Sequence, residues 1–102
     1  MGANKEDWYI NYGDKKLEET KKEMYGFLEK ENKNTQENKD IVDRMLRISK
    51  QQYKQQILQL SVIKFDNEFI SEFIISAKSM AKQNLDLNCA NAFTILRVYT
   101  RK

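Results

Sequence analysis

The side chains of this 102-residue chain that could do chemistry are few, and their surroundings decide what they could do. The one thiol, Cys89, needs a base before it can act as a nucleophile, and the chain contains no histidine. Ala90, Ala92 and Phe93 follow it, an apolar context that reads as a buried structural thiol. The missing histidine also removes the usual general base and the commonest metal ligand. Carboxylate pairs occur at Glu18–Glu19 and Asp40–Asp43, but they fall on solvated helix faces in the acidic part of the chain. Phosphate-cradling loops need closely spaced glycines, and the only glycines are Gly2, Gly13 and Gly26. The residues argue against an enzyme and imply no cofactor, no metal and no small-molecule substrate.

The elements that position these groups follow from an absence. From Phe27 to Lys102, 76 residues (102 − 26), there is neither glycine nor proline. Tight hairpins and irregular loops depend on those two residues, so the stretch favours helices joined by polar turns. Asp14 can cap a first helix over 14–30, with Leu17, Met24, Phe27 and Leu28 as a narrow apolar stripe. Gly26 inside it implies either close approach of a neighbouring helix or simple tolerance. Residues 31–38 hold no apolar side chain and read as a loop. A second helix over 39–63 carries Val42, Leu46, Ser49, Tyr53, Ile57 and Leu60 at three- and four-residue steps. Asp66 or Asn67 can cap a third, over 66–83, with Phe69, Ile70, Phe73, Ile74, Ala77, Met80 and Ala81 as the densest apolar stripe. That stripe marks the expected central helix, in which Phe73→Ala is expected to cost about 3–5 kcal/mol. The Asn84-Leu85-Asp86-Leu87-Asn88 segment reads as a turn, with Asn88 capping a last helix over 88–99. The expected architecture is all-α: one domain, 1–102, folded as an antiparallel up-down four-helix bundle.

The net charge of +3 conceals a division. Residues 1–43 hold eight lysines against eleven acids, giving −3, while residues 44–102 hold ten basic residues against four acids, giving +6. A basic second part can attract nucleic acid or an anionic membrane face. For a helix-turn-helix reader, however, the outer face of 88–99 offers mainly Ala90, Asn91, Thr94 and Arg97, a thin basic footprint. Nucleic acid is therefore the alternative partner, disfavoured. No apolar run reaches the roughly 20 residues that span a bilayer, the start lacks signal-peptide order, and a lone cysteine suits a reducing compartment. A cytoplasmic location is expected.

The order Asp7-Trp8-Tyr9, then Gly13-Asp14-Lys15-Lys16, then a charged helix ending near Leu28, resembles the enterocin A immunity family. These proteins protect against pediocin-like (class IIa) bacteriocins. The later layout is similar too: a longer helix from about Asp40, another from about Asp66, and the Leu85–Asn88 segment leading to a short last helix. The resemblance implies a cytosolic antiparallel four-helix bundle without catalysis or cofactor. It further implies protection of the producing cell through the bacteriocin-bound membrane receptor, the mannose phosphotransferase permease, reached from the inner face of the membrane. Family members choose partners through the C-terminal half, which here points to Arg97, Tyr99, Arg101 and Lys102 as partner-binding residues. Basic groups there also suit the cytoplasmic membrane surface.

Overall fold

A computed structural model of the chain describes residues 5–64 and 67–101, with side chains from residue 8 onward. It contains three helices: α1 (Lys5–Lys30), α2 (Gln36–Ser61) and α3 (Glu68–Tyr99). The all-α expectation holds, but the four-helix bundle does not. The expected helices 66–83 and 88–99 are one continuous helix of 32 residues. The physical reason is Leu85, placed in the expected turn yet only 1% exposed, at the centre of the core. Asparagine and aspartate are modest helix formers, each several tenths of a kcal/mol worse than alanine. Burying one leucine outweighs them. The helix is also braced at this point, where Asp86 accepts from the Tyr12 hydroxyl at 2.7 Å and pairs with Lys82 one turn earlier at 3.3 Å.

The helices run up, down and up. Tyr9 meets Tyr53 and Tyr25 meets Asp43, so α1 and α2 are antiparallel. Tyr12 meets Asp86 and Lys33 meets Thr100, so α1 and α3 are parallel. The result is a long, thin body of 54 × 26 × 15 Å. The inward lines are Gly13, Leu17, Thr20, Met24 and Leu28 on α1; Val42, Leu46, Ser49, Tyr53 and Ile57 on α2; and Ile74, Lys78, Ala81, Leu85, Cys89, Ala92 and Leu96 on α3. Each steps by four, three and four residues. Eleven residues over three turns is 3.67 per turn, so each buried line stays close to parallel with its helix axis, without the left-handed winding of a heptad.

The ends are chemically defined. Asn32 takes φ of 57° after α1, and the Asn32 and Lys33 amides donate back to the Glu29 and Leu28 carbonyls at 3.0 and 2.7 Å. That left-handed residue with its paired back-bonds is the Schellman way of ending a helix, and asparagine tolerates it best after glycine. Thr35 caps α2 by accepting from the Asn38 amide at 3.2 Å, so α2 begins before the expected residue 39. Asn67 caps α3 by accepting from the Ile70 amide at 2.9 Å, as expected for one of the two candidates; Asp66, the other, lies outside the described residues. Asp14 caps nothing, because α1 starts at least nine residues earlier, at Lys5.

Two glycines exchange roles. Gly13, which looked like a helix entry, is buried inside α1, and a Cβ there would stand 2.7 Å from Cδ2 of Tyr53 and nearer still to Cε2. Gly26, where close approach was an option, has open space around it. The tight contact between helices is therefore at Gly13, where the Tyr53 ring lies against bare backbone and its hydroxyl donates to the Tyr9 carbonyl at 2.6 Å.

The expected apolar face of the third helix is also corrected. Ile74 and Ala81 point inward, but Phe69 is 81%, Phe73 63% and Met80 60% exposed. Phe73 is not a core residue, and the large cost expected for Phe73→Ala does not apply.

Candidate interaction surface

Three of the four proposed partner-binding residues, Arg97, Tyr99 and Arg101, lie where the C-terminus of α3 meets the turn between α1 and α2. Arg97 and Arg101 sit one turn apart on an outward face, and both are exposed. The Arg97 guanidinium lies 4.2 Å from the Phe93 ring centre, and that ring meets Phe27 of α1 edge-on at 5.7 Å. Cation–π contact and ring packing thus hold the guanidinium in place while its donors stay in water. Arg97, the basic residue of the last turn, also complements the helix dipole, a structural role it fills with or without a partner. Tyr99 is on the opposite flank, where its hydroxyl donates to the Glu37 carboxylate of α2 at 3.1 Å. That bond, followed by the carboxylate's charge, raises the Tyr99 pKa. The structure therefore brings Arg97 and Arg101 together and sets Tyr99 apart from them; Lys102 lies outside the described residues.

Hydrogen bonds tie this end of the bundle together. Thr100 is buried, its hydroxyl donates to the Leu96 carbonyl at 2.8 Å, and its own carbonyl accepts from the Lys33 ammonium. Asn38 donates its side-chain amide to the Lys33 carbonyl at 2.8 Å, tying the turn to α2. Removal of residues 100–102 would break these ties, so Arg97 and Arg101 are the positions at which the surface can be changed without loosening the fold.

A second basic surface was not singled out from the sequence. Arg44, Arg47 and Lys50 are exposed along α2, with Lys54 continuing the same ridge. Beside them runs an α1–α2 groove lined by Asp14, Glu18, Lys21 and Asp43, and bridged by Lys21–Asp43 at 3.7 Å and Lys54–Asp14 at 3.5 Å. The signal was present in the three- and four-residue spacing of the basic side chains. It is weak, because charge on an outer helix face usually does no more than solvate it. The helix-turn-helix reading loses its basis outright, since α3 has no turn before residue 88.

Tyrosines supply most of the polar ties between helices. Burial, then the hydrogen bond to Asp86, raises the Tyr12 pKa; burial, then Asp43 at 2.7 Å, pushes Tyr25 up to about 12. Burial raises Tyr53 as well. For such groups the neutral form is favoured by folding. Their contribution is complete below the ordinary pKa of 10.0 and is lost as pH rises from there toward about 12, the Tyr25 value. The urea midpoint should hold steady into mildly alkaline solution and fall above about pH 10, with tyrosinate absorbance appearing together with unfolding. A midpoint independent of pH across that window would contradict the arrangement.

Cys89 is buried in the core, and burial raises its thiol pKa against smaller opposing effects of Thr20 and Lys16. It is poorly placed to become a thiolate. Among the described residues no cluster of three or more His, Cys, Asp or Glu could hold a metal ion, and no helix is long and apolar enough to cross a membrane. No family model, curated protein or solved structure matches the chain.

Proposed function

We propose that the chain is an immunity protein of the type that answers pediocin-like bacteriocins, acting by contact and without catalysis. In this reading it works in the cytosol, at the inner face of the membrane, on the mannose phosphotransferase permease once bacteriocin has engaged it. The observation that carries the proposal is the hydrogen-bonded basic end of the bundle, where Arg97 and Arg101 project one turn apart beside the α1–α2 turn. Arginine is a frequent anchor at protein interfaces, and a positive end suits an anionic membrane surface.

Within the N-terminal motif Trp8, Gly13 and Asp14 have physical tasks, although the Gly13-Asp14 step lies inside α1 and does not open it as the resemblance implied. Trp8 stacks on Tyr12 at 5.7 Å and meets Tyr9 edge-on at 4.8 Å. Gly13 admits Tyr53, and Asp14 pairs with Lys54. The Leu85–Asn88 segment, by contrast, is helix rather than turn and no longer supports the likeness. In a sensitive host protected by the wild-type chain, Arg97→Ala with Arg101→Ala should lower protection at least about tenfold, the effect of losing roughly 1.4 kcal/mol of contact. Helical content and expression should be unchanged. Undiminished protection would remove this end from the interface.

A second reading is binding to nucleic-acid phosphates through the Arg44–Arg47–Lys50–Lys54 ridge of α2. It predicts affinity for duplex DNA that falls steeply between low and moderate salt.

A further inference from the structure

Among the described residues, the outward side of α3 is poor in charge. Charged residues make up 32% of the sequence. Yet between Glu72 and Arg97 the only charged side chains on α3 are Lys78, which is buried in the inward line, and Lys82 and Asp86. The last two are engaged with each other and with Tyr12 of α1. What faces water beyond them is neutral. Phe73, Met80 and Leu87 recur at seven-residue intervals and are 63%, 60% and 58% exposed. Thr94 continues that series, and Ala77 (half-buried), Asn84, Asn91 and Val98 interleave with it, also at seven-residue intervals.

The outer line therefore steps by four and three, a period of 3.5, whereas the inner line of the same helix has a period of 3.67. A 3.5-residue line of apolar side chains is the pattern by which one helix packs along another, and asparagines within it fix register and partner number. The inner period serves the bundle. The outer one fits a helix outside it.

The distribution of charge says which helix. Glu68 and Glu72 stand at the start of α3, and Arg97 and Arg101 at its end, all four exposed. Glu72 and Arg97 are equidistant from the point between Asn84 and Leu85, and so are Glu68 and Arg101. One antiparallel register thus sets both acids of one copy beside both arginines of another, and does so twice by symmetry. A parallel pairing would set like against like. A neutral middle adds no repulsion between identical faces, which a two-fold contact between copies requires.

We infer that two copies of this chain pair antiparallel through the outer face of α3, with the two-fold axis beside Asn84 and Leu87. The paired length, from Phe73 to Val98, is roughly 40 Å of helix. Phe73 of one copy then covers the exposed Val98 of the other, and Asn84 meets its own symmetry mate, where two amides can each donate and accept. The flanking charges set orientation more than affinity, because rim ion pairs are worth little individually. This inference stands on the surface of α3; it shares Arg97 and Arg101 with the immunity reading, and its test reads association rather than protection.

Sedimentation equilibrium on the purified full chain tests it. The mass should rise from the 12.2 kDa of one chain toward twice that value as concentration increases. Leu87→Glu places a carboxylate from each copy near the axis and should weaken pairing at least about a hundredfold. Circular dichroism should be unchanged, because Leu87 is exposed and outside the core. Glu72→Arg alone, or Arg97→Glu alone, should weaken pairing about three- to tenfold, and the two together should restore it. A mass of 12.2 kDa at every concentration would overturn the inference and leave this face to a different protein. A dimer indifferent to Leu87→Glu would overturn it equally. Failure of the exchanged pair to restore association would overturn the antiparallel register.

Discussion

Leu85→Ala should lower the free energy of unfolding by about 2–5 kcal/mol, while Phe73→Ala should change it by less than about 0.5 kcal/mol in dilute solution. The two residues reverse what their sequence neighbourhoods suggest. Phe73 lies in the densest apolar stretch of the chain but projects from the bundle. Leu85 lies among asparagines and aspartate but packs with Leu17, Tyr53, Ile57 and Cys89 in one core cluster. Removing its branched end leaves a cavity at the midpoint of the longest helix, where α1 and α2 both press against it. The expected loss is a large share of the roughly 5–15 kcal/mol available to a domain of this size. Chemical denaturation of both variants, read by circular dichroism, decides the matter. Equal costs would contradict the placement of Leu85 inside the bundle and Phe73 outside it.

Gly13→Ala should destabilise the fold by about 1–3 kcal/mol, although alanine is the better helix former by about 1 kcal/mol. The added methyl collides with the Tyr53 ring, which cannot swing away because it is 2% exposed and its hydroxyl is tied to the Tyr9 carbonyl. Either the ring leaves that bond or α1 and α2 move apart. Gly26→Ala is the internal control, since a Cβ there meets nothing within 4 Å. It should stabilise by up to about 1 kcal/mol. Opposite signs for the same substitution in the same helix would isolate the packing effect from helix propensity. Melting temperatures that rise in both variants would show that Tyr53 yields at no cost.

The sequence carried the existence of helices better than their ends or their facing. Periodicity, with no glycine or proline after Gly26, was enough for the all-α class and for α2, whose inward residues Val42, Leu46, Ser49, Tyr53 and Ile57 were all read correctly. On α3 it failed for a specific reason. Phe73 and Ile74, like Met80 and Ala81, are adjacent pairs, so both members fit an apolar stripe of helical spacing. Which member turns inward depends on where α1 and α2 lie, and no local pattern contains that. Larger side chains then drew attention to the wrong member of each pair. Asn84–Asn88 misled in the same way, because weak local preference was overridden by a single tertiary contact at Leu85. Gly13 read as a boundary because glycine so often is one; its true task appears only with Tyr53, forty residues away. The candidate surface was partly legible. Arg97 and Arg101 are together and exposed as expected, but Tyr99 faces α2, and the ridge on α2 was passed over as solvated charge.

We propose that this bundle protects a cell by contact. The direct measurement is survival of a bacteriocin-sensitive host that expresses the chain, challenged with a panel of pediocin-like peptides beside the same host carrying an empty vector. Growth is expected at concentrations that kill the control, for at least one peptide of the panel. Equal killing of both hosts by every peptide, with the chain present and folded in the cytosol, would contradict it.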